Sequence, residues 1–293
     1  MHALSEGRES PQGVLTDAAS EAGPLPLEGQ RVLVTRPLHQ SGDLQVALSR
    51  AGAHPIAVPT IRLADPPDPR PFRCAAATLE DFDWVLLTSA NAVERLATAV
   101  RETTGDLVSL QRACLAVIGP ATRDAIRALG CEPRVMSSIH RGEALADAVL
   151  EAGANERGTR VLLARAAGAR SVLPDRLRAA GVSVTDVAAY VTVAEEASAG
   201  PLTRLVAEGG LDWITFTAAS AVRAYVAMVG SRTGDASVAA IGPITAAAVR
   251  DAGLEVQTVA ATYTITGLIE ALVLASTGQG GDVSTRSDRE RGA

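Results

Sequence analysis

The residues best suited to chemistry are hydroxyls and guanidinium groups set at the ends of apolar runs. Thr88, Ser89 and Asn91 follow the run Trp84 to Leu87, Thr217 and Ser220 follow Trp213 to Phe216, and Thr122 and Thr245 follow two Ile-Gly-Pro turns. If the apolar runs are strands and helices follow them, these side chains sit at helix N-termini. Free backbone N–H groups and the positive end of the helix dipole attract anions there. Ser, Thr and Asn also serve as ordinary helix caps, so each residue alone admits both roles. Arranged in matched pairs, they point to two facing anion-binding rims. Arg36 and Arg165 each directly follow an apolar run. A guanidinium in that position can grip a carboxylate bidentately, or it can pair with a neighbouring Asp or Glu at the surface.

The chain supplies the elements that would position these groups. Apolar runs alternate with amphipathic stretches: RVLVT before an Ala/Leu helix, DWVLLT before NAVERLATAV, CLAVIG before PATRDAIRALG. Such βα alternation predicts an α/β fold with parallel sheets and helices on both faces. The pattern is duplicated. Arg31-Val-Leu-Val-Thr-Arg-Pro returns 129 residues later as Arg160-Val-Leu-Leu-Ala-Arg-Ala, placing Arg36 and Arg165 at equivalent positions. At the same offset, Asp83-Trp-Val-Leu-Leu-Thr-Ser-Ala-Asn-Ala-Val returns as Asp212-Trp-Ile-Thr-Phe-Thr-Ala-Ala-Ser-Ala-Val. Ala116-Val-Ile-Gly-Pro-Ala-Thr returns as Ala239-Ala-Ile-Gly-Pro-Ile-Thr after 123 residues. Two long copies mean duplicated domains, because solenoids use shorter units in greater number.

Composition removes several classes of function. All 27 basic residues are Arg, so neither a lysine Schiff base nor a Walker A phosphate loop is possible. His2, His39, His54 and His140 are scattered, and Cys74, Cys114 and Cys131 show no paired spacing. No metal site or disulfide framework is therefore expected, and the cysteines are read as reduced core thiols. GxSxG and GxGxxG are absent, which leaves a hydrolase elbow or a dinucleotide site without support. The net charge of -6 and the lack of a basic stripe argue against nucleic acid as a partner. No apolar run approaches the roughly 18 residues of a membrane span, and no secretory signal opens the chain. A cytoplasmic protein acting on a small molecule is expected. Residues 1–28 and 276–293, rich in Gly, Pro, Ser and charge, read as disordered tails.

Taken together, the blocks resemble the uroporphyrinogen-III synthase family from about Arg31 to Leu274. The matching segments are VTRP at Val34 to Pro37, TSxxAV at Thr88 to Val93, AYVT at Ala189 to Thr192, FTxxSAV at Phe216 to Val222, AIGPxTA at Ala240 to Ala246, and YTxxGLxEAL at Tyr263 to Leu272. The resemblance implies two similar flavodoxin-like lobes that exchange segments across the duplication: 30–58 with 194–275 in one, 66–186 in the other. Residues 59–65 and 187–193 would form a two-stranded linker, and the active cleft would lie between the lobes. It also implies a cofactor-free lyase, likened to stand-alone monomeric synthases, that takes hydroxymethylbilane, expels water, inverts the last pyrrole ring and closes the macrocycle. Transient hand-over of this substrate from hydroxymethylbilane synthase would follow.

On this resemblance Tyr190 is the general acid at the leaving hydroxyl, although it could equally be a packed interface residue with its hydroxyl satisfied. Backbone amides with Thr88, Ser89, Thr122, Thr217, Ser220 and Thr245 would hold the carboxylate arms, aided by Arg36 and Arg165. One departure stands out: Ala218 and Ala219 occupy positions where the family often has Ser and Pro. A binding protein or sensor that kept the scaffold and lost catalysis is the alternative. A pair of receiver-like signalling domains shares the fold class but lacks the required acidic cluster and Lys.

Overall fold

In the computed structural model, residues 24–278 are described, apart from 138 and 140. The strands in chain order are β1 (Arg31–Val34), β2 (His54–Ala57), β3 (Ile61–Ala64), β4 (Trp84–Leu87), β5 (Cys114–Ile118) and β6 (Val135–Ser137). Then come β7 (Arg160–Ala166), β8 (Ser183–Ala194), β9 (Trp213–Phe216), β10 (Ser237–Ala240) and β11 (Thr258–Val259). They form two sheets, ordered β11-β10-β9-β1-β2 and β3-β8-β7-β4-β5-β6. All pairings are parallel except β3 with β8.

Apolar runs rather than alternating patterns mark these strands because both faces are covered. In the five-stranded sheet, Leu33, Ile214, Phe216 and Val238 pack into one core, while Val32, Val34, Trp213 and Ala239 pack into another on the opposite face. The larger sheet repeats the division, with Val85, Leu87, Leu115 and Leu162 on one face and Trp84, Leu86, Ala116 and Leu163 on the other. Each fully buried Val or Leu contributes about 1.5–3 kcal/mol.

The sequence duplication is visible in the hydrogen bonds. The Asp212 carboxylate accepts from the Arg31 backbone N–H at 2.7 Å, and the Asp83 carboxylate accepts from the Arg160 N–H at 2.7 Å. Each Asp thus locks the start of a strand from the other copy: β1 lies beside β9 and β7 beside β4. With equivalent strands aligned, both sheets have the same spatial order, but in the larger one the segments arrive as β4-β5-β6 before β7-β8. The antiparallel pair β3 and β8, with Ile61 opposite Ala194, carries the chain between the sheets.

Three sequence expectations need correction. Leu27 is fully buried and its N–H bonds to the Ala51 carbonyl, so ordered packing starts before the expected boundary at residue 28. The remainder of both expected tails, 1–23 and 279–293, lies outside the described residues, as do His2 and His140. The proposed linker 187–193 is not separate from its lobe, because β8 continues through it and pairs with β7 as far as Tyr190. Among the cysteines Cys131 is buried, but Cys74 is exposed; it lies on a helix (Arg70–Ala77) that turns only Phe72, Ala75 and Ala76 inward.

The two copies differ at one cap. Ser89 is extended (φ -158°, ψ 153°) and its Oγ accepts from the Ala92 N–H at 3.2 Å, starting the helix Ala90–Thr104. Ala218 has nearly the same backbone (φ -155°, ψ 145°) at the start of Ala219–Val229, with no side chain to accept the equivalent Ala221 N–H. Ala218→Ser should therefore raise unfolding stability by about 1 kcal/mol in a denaturant titration. No gain would mean that the bond this N–H already makes to the Ala218 carbonyl at 3.1 Å is sufficient.

Candidate active site

The residues singled out from sequence collect at the carboxyl ends of the strands, where ligands bind in open α/β sheets. Thr88 and Ser89 follow β4, Thr217 and Ser220 follow β9, and Thr122 and Thr245 occupy the first turns of helices that follow β5 and β10. These last two helices start after Gly119 and Gly242 with Pro in the first position. Gly119 has φ +77°, the left-handed region that glycine tolerates. At Gly242 a Cβ would stand 3.0 Å from the Tyr263 ring, so a larger residue there would push the ring aside.

Thr122 and Thr245 are buried; Thr88, Thr217 and Ser220 are half-buried. Ser89 is spent differently: besides capping its helix, its Oγ lies 3.1 Å from the Tyr190 hydroxyl. Tyr190 comes from β8, beyond an irregularity in the β7–β8 register at Arg165/Ala166, and is only 6% exposed. It differs from Tyr225, whose hydroxyl donates to the Arg232 carbonyl at 2.6 Å and whose pKa is pushed up by burial. A carbonyl partner fixes Tyr225 as a donor, whereas a hydroxyl partner lets Tyr190 donate elsewhere.

The two arginines part company. Arg165, buried at 9% exposure, makes a bidentate ion pair with Asp186 at 2.8 and 2.6 Å and also donates to the Arg170 carbonyl at 2.5 Å. Its guanidinium is occupied, so the expectation that Arg165 binds substrate is withdrawn. Arg36 makes no ion pair among the described residues, and burial lowers its pKa from the usual value, opposed by the charge of Asp43. The register gives the reason. Asp186 on β8 faces Leu163, and the equivalent residue on β2, facing Val34, is Ala57. One copy holds the neutralising carboxylate and the other does not.

Asn91 and Gln40 are hydrogen-bonded through their amides, joining the turn after β4 to the segment after β1 (Leu38–Gln40). This bond sets the segment that follows Arg36 against the turn that carries Ser89. Sequence reading missed Gln40, which had no repeat partner of its type. A separate hollow of about 120 Å³ lined by Asp65, Phe72, Arg73, Arg95 and Glu102 is much smaller than the roughly 300–1,000 Å³ of typical ligand pockets. Among the described residues no cluster of three His, Cys, Asp or Glu side chains could hold a metal, and no helix is long and apolar enough to cross a membrane.

The arrangement can donate a proton from a phenol and receive anions on a rim of hydroxyls, helix N-termini and a part-buried cation. Residues 42–270 match the family model described as Uroporphyrinogen-III synthase HemD. The chain belongs to the uroporphyrinogen-III synthase family. It is 29% identical over 260 residues to the uroporphyrinogen-III synthase of Synechococcus elongatus, covering 84% of this chain and 96% of that one. It is also 29% identical over 203 residues to the porphyrin biosynthesis protein HemD of Ruminiclostridium josui, covering 69% of this chain and 40% of that longer one. A mutant uroporphyrinogen III synthase from Thermus thermophilus has the same fold, with a TM-score of 0.57 at 19% identity, covering 85% of this chain and all of that one. The Tyr190–Ser89 pair and the hydroxyls at the strand ends form the candidate site of this uroporphyrinogen-III synthase family member.

Proposed function

We propose that the protein is a lyase that closes hydroxymethylbilane to uroporphyrinogen III in the cleft, with Tyr190 as general acid. The observation that carries this reading is the Tyr190–Ser89 hydrogen bond. Ser89 Oγ accepts from the Ala92 N–H at a helix N-terminus, so its own proton is free to be donated to the Tyr190 oxygen. The phenol proton then points to the substrate. As the C–O bond of the hydroxymethyl group breaks, Tyr190 gives its proton to the departing hydroxide and water leaves. The electron-rich pyrrole stabilises the cation left behind. Attack by the substituted α-carbon of the terminal ring forms a C–C bond and a spiro intermediate. The bond from that carbon to its original methylene bridge then breaks, and the bridging methylene cation is captured by the ring's free α-carbon, which inverts the ring. The proton lost as that ring regains aromaticity can return to Tyr190, which balances the loss of one water.

Holding the chain for ring inversion is a matter of positioning. Arg36 supports a carboxylate, since a part-buried guanidinium that makes no ion pair among the described residues gains from an incoming anion. Thr88, Thr122, Thr217, Ser220 and Thr245, with the adjacent amides, supply further donors. Arg36→Ala should raise KM about 10- to 100-fold, the loss of one charge-assisted hydrogen-bonded contact. Ala57→Asp tests the same point without removing the cation, because it recreates the partner that Arg165 has; a comparable rise in KM is expected. Unchanged KM in both variants would remove Arg36 from the binding site.

The deciding experiment supplies purified protein with hydroxymethylbilane made in situ by its deaminase, then oxidises the products and separates the uroporphyrin isomers. Isomer III in excess is expected. Isomer I alone, at the rate of the protein-free control, would overturn the enzymatic reading in favour of a non-catalytic binding protein.

A further inference from the structure

The five-stranded lobe exposes large apolar side chains along the edge where its ligand rim lies. Leu38 after β1 is 66% exposed, Ile244 after β10 is 79% exposed, and Tyr263 after β11 is 65% exposed. The strands concerned run parallel in one sheet, so the three residues share its carboxyl edge with Arg36, Thr217 and Thr245. Tyr263 lies across the turn that presents Ile244, against Gly242. The fold does not require this. In the other copy the positions matching Leu38 and Ile244 are Ala167 and Ala121, both exposed and small. The duplicated scaffold therefore stands with methyl groups at the positions of Leu38 and Ile244.

We infer that Leu38, Ile244 and Tyr263 form an apolar shelf that takes the pyrrole faces of the tetrapyrrole, while the hydroxyl and arginine donors between them take its carboxylate arms. This rests on the proposed substrate and adds the specificity determinants of its ring system. The substrate's chemistry fits an alternation of this kind: its rings are flat, electron-rich and apolar on their faces, and every ring carries anionic arms at its edge. Donors alone would bind the arms of any polycarboxylate. A shelf that removes pyrrole faces from water rewards the ring system itself, and Tyr263 can stack on a ring as well as bury it. Leu38 lies between Arg36 and Gln40 in the chain, so one short segment offers a cation, an apolar face and the contact to Asn91.

The test compares Ile244→Ser, Tyr263→Ala and the double variant with wild type, using Val108→Ser as a control. Val108 is 42% exposed on the helix that precedes β5 and so lies at the opposite edge of the other sheet. Turnover of hydroxymethylbilane is measured by isomer analysis, and binding of uroporphyrinogen III is measured separately by calorimetry under nitrogen. Each single variant should weaken binding about tenfold, as expected for apolar area returned to water. KM should rise in parallel, kcat should stay within about threefold, and melting temperatures should be unchanged because the residues are exposed. Binding and KM equal to wild type in the double variant would overturn the shelf while leaving the synthase reading intact. Weakened uroporphyrinogen binding in a protein that makes no isomer III would support the shelf and overturn the synthase reading. Wild-type binding with turnover lost only when the deaminase supplies the substrate would identify the surface as a docking face for that enzyme and overturn the inference.

Discussion

Tyr190→Phe should lower kcat for uroporphyrinogen III formation by about 100-fold or more, the usual worth of a positioned general acid, with KM nearly unchanged. The ring stays, so the core around Leu87, Leu162 and Ala189 keeps its packing, and stability should fall by only about 1 kcal/mol for one hydrogen bond. Because hydroxymethylbilane also closes without help to the uninverted isomer, the slower variant should give a larger share of isomer I. Ser89 separates the acid from its support. Ser89→Ala removes both the cap and the bond to Tyr190, whereas Ser89→Thr keeps a hydroxyl able to make both and should restore most of the rate. A structural cap alone would give Ser89→Ala lower stability with unchanged kcat. Wild-type kcat and isomer ratio in Tyr190→Phe would rule out the general-acid role.

Much of the fold could be read because apolar runs followed by Gly-Pro or hydroxyl-rich turns leave few alternatives to βα units, and because the repeated blocks keep one order, two of them at the same offset. Arg31 with Asp212 and Arg160 with Asp83 are related by one offset, and the structure joins them by the same hydrogen bond in each copy. The element ends were harder. Leu27 looked like part of a Gly/Pro-rich tail because one apolar residue in such a stretch has no periodicity to reveal its burial. The extent of β8 was hidden because a strand that leaves one sheet and crosses to the next changes partners without changing composition.

At the site, residue types were legible and their partners were not. Ser89 was visible as a cap or anion donor, but a bond to a residue 101 positions away depends on tertiary packing. Ile244 and Tyr263 lay inside the family-like segments without any sign of their exposure, and a comparison of copies would have shown that Ile244 replaces Ala121. The same comparison, taken one strand further, distinguishes the arginines: Ala57 against Asp186 is in the sequence, but its meaning needs the register that sets each beside its arginine's strand.

Asp186→Asn should destabilise the protein by about 3 kcal/mol, the usual loss when one member of a buried ion pair is removed and the other stays charged. Arg165 and Asp186 have side chains only 11% and 22% exposed, so water cannot take over the carboxylate's role. The Arg170 carbonyl satisfies one N–H of Arg165 but brings no negative charge. Arg165→Met should cost less, since a flexible apolar chain fills the space and the remaining Asp186 is the more exposed partner. In the pair Arg165→Met with Asp186→Leu, most of the loss should be recovered, because the desolvation cost of both charges disappears. Urea titrations of the four proteins form a double-mutant cycle, in which a coupling energy above about 1 kcal/mol marks direct interaction. Among variants still folded at the assay temperature, KM should remain within about twofold of wild type. That outcome would separate the two arginines that the repeat makes equivalent: Arg36, two residues beyond the Val34 that faces Ala57, would act on the substrate, while Arg165 would hold β7 to β8. A KM effect of Arg165→Met as large as that of Arg36→Ala, without loss of stability, would reverse this assignment and place both guanidinium groups in the cleft.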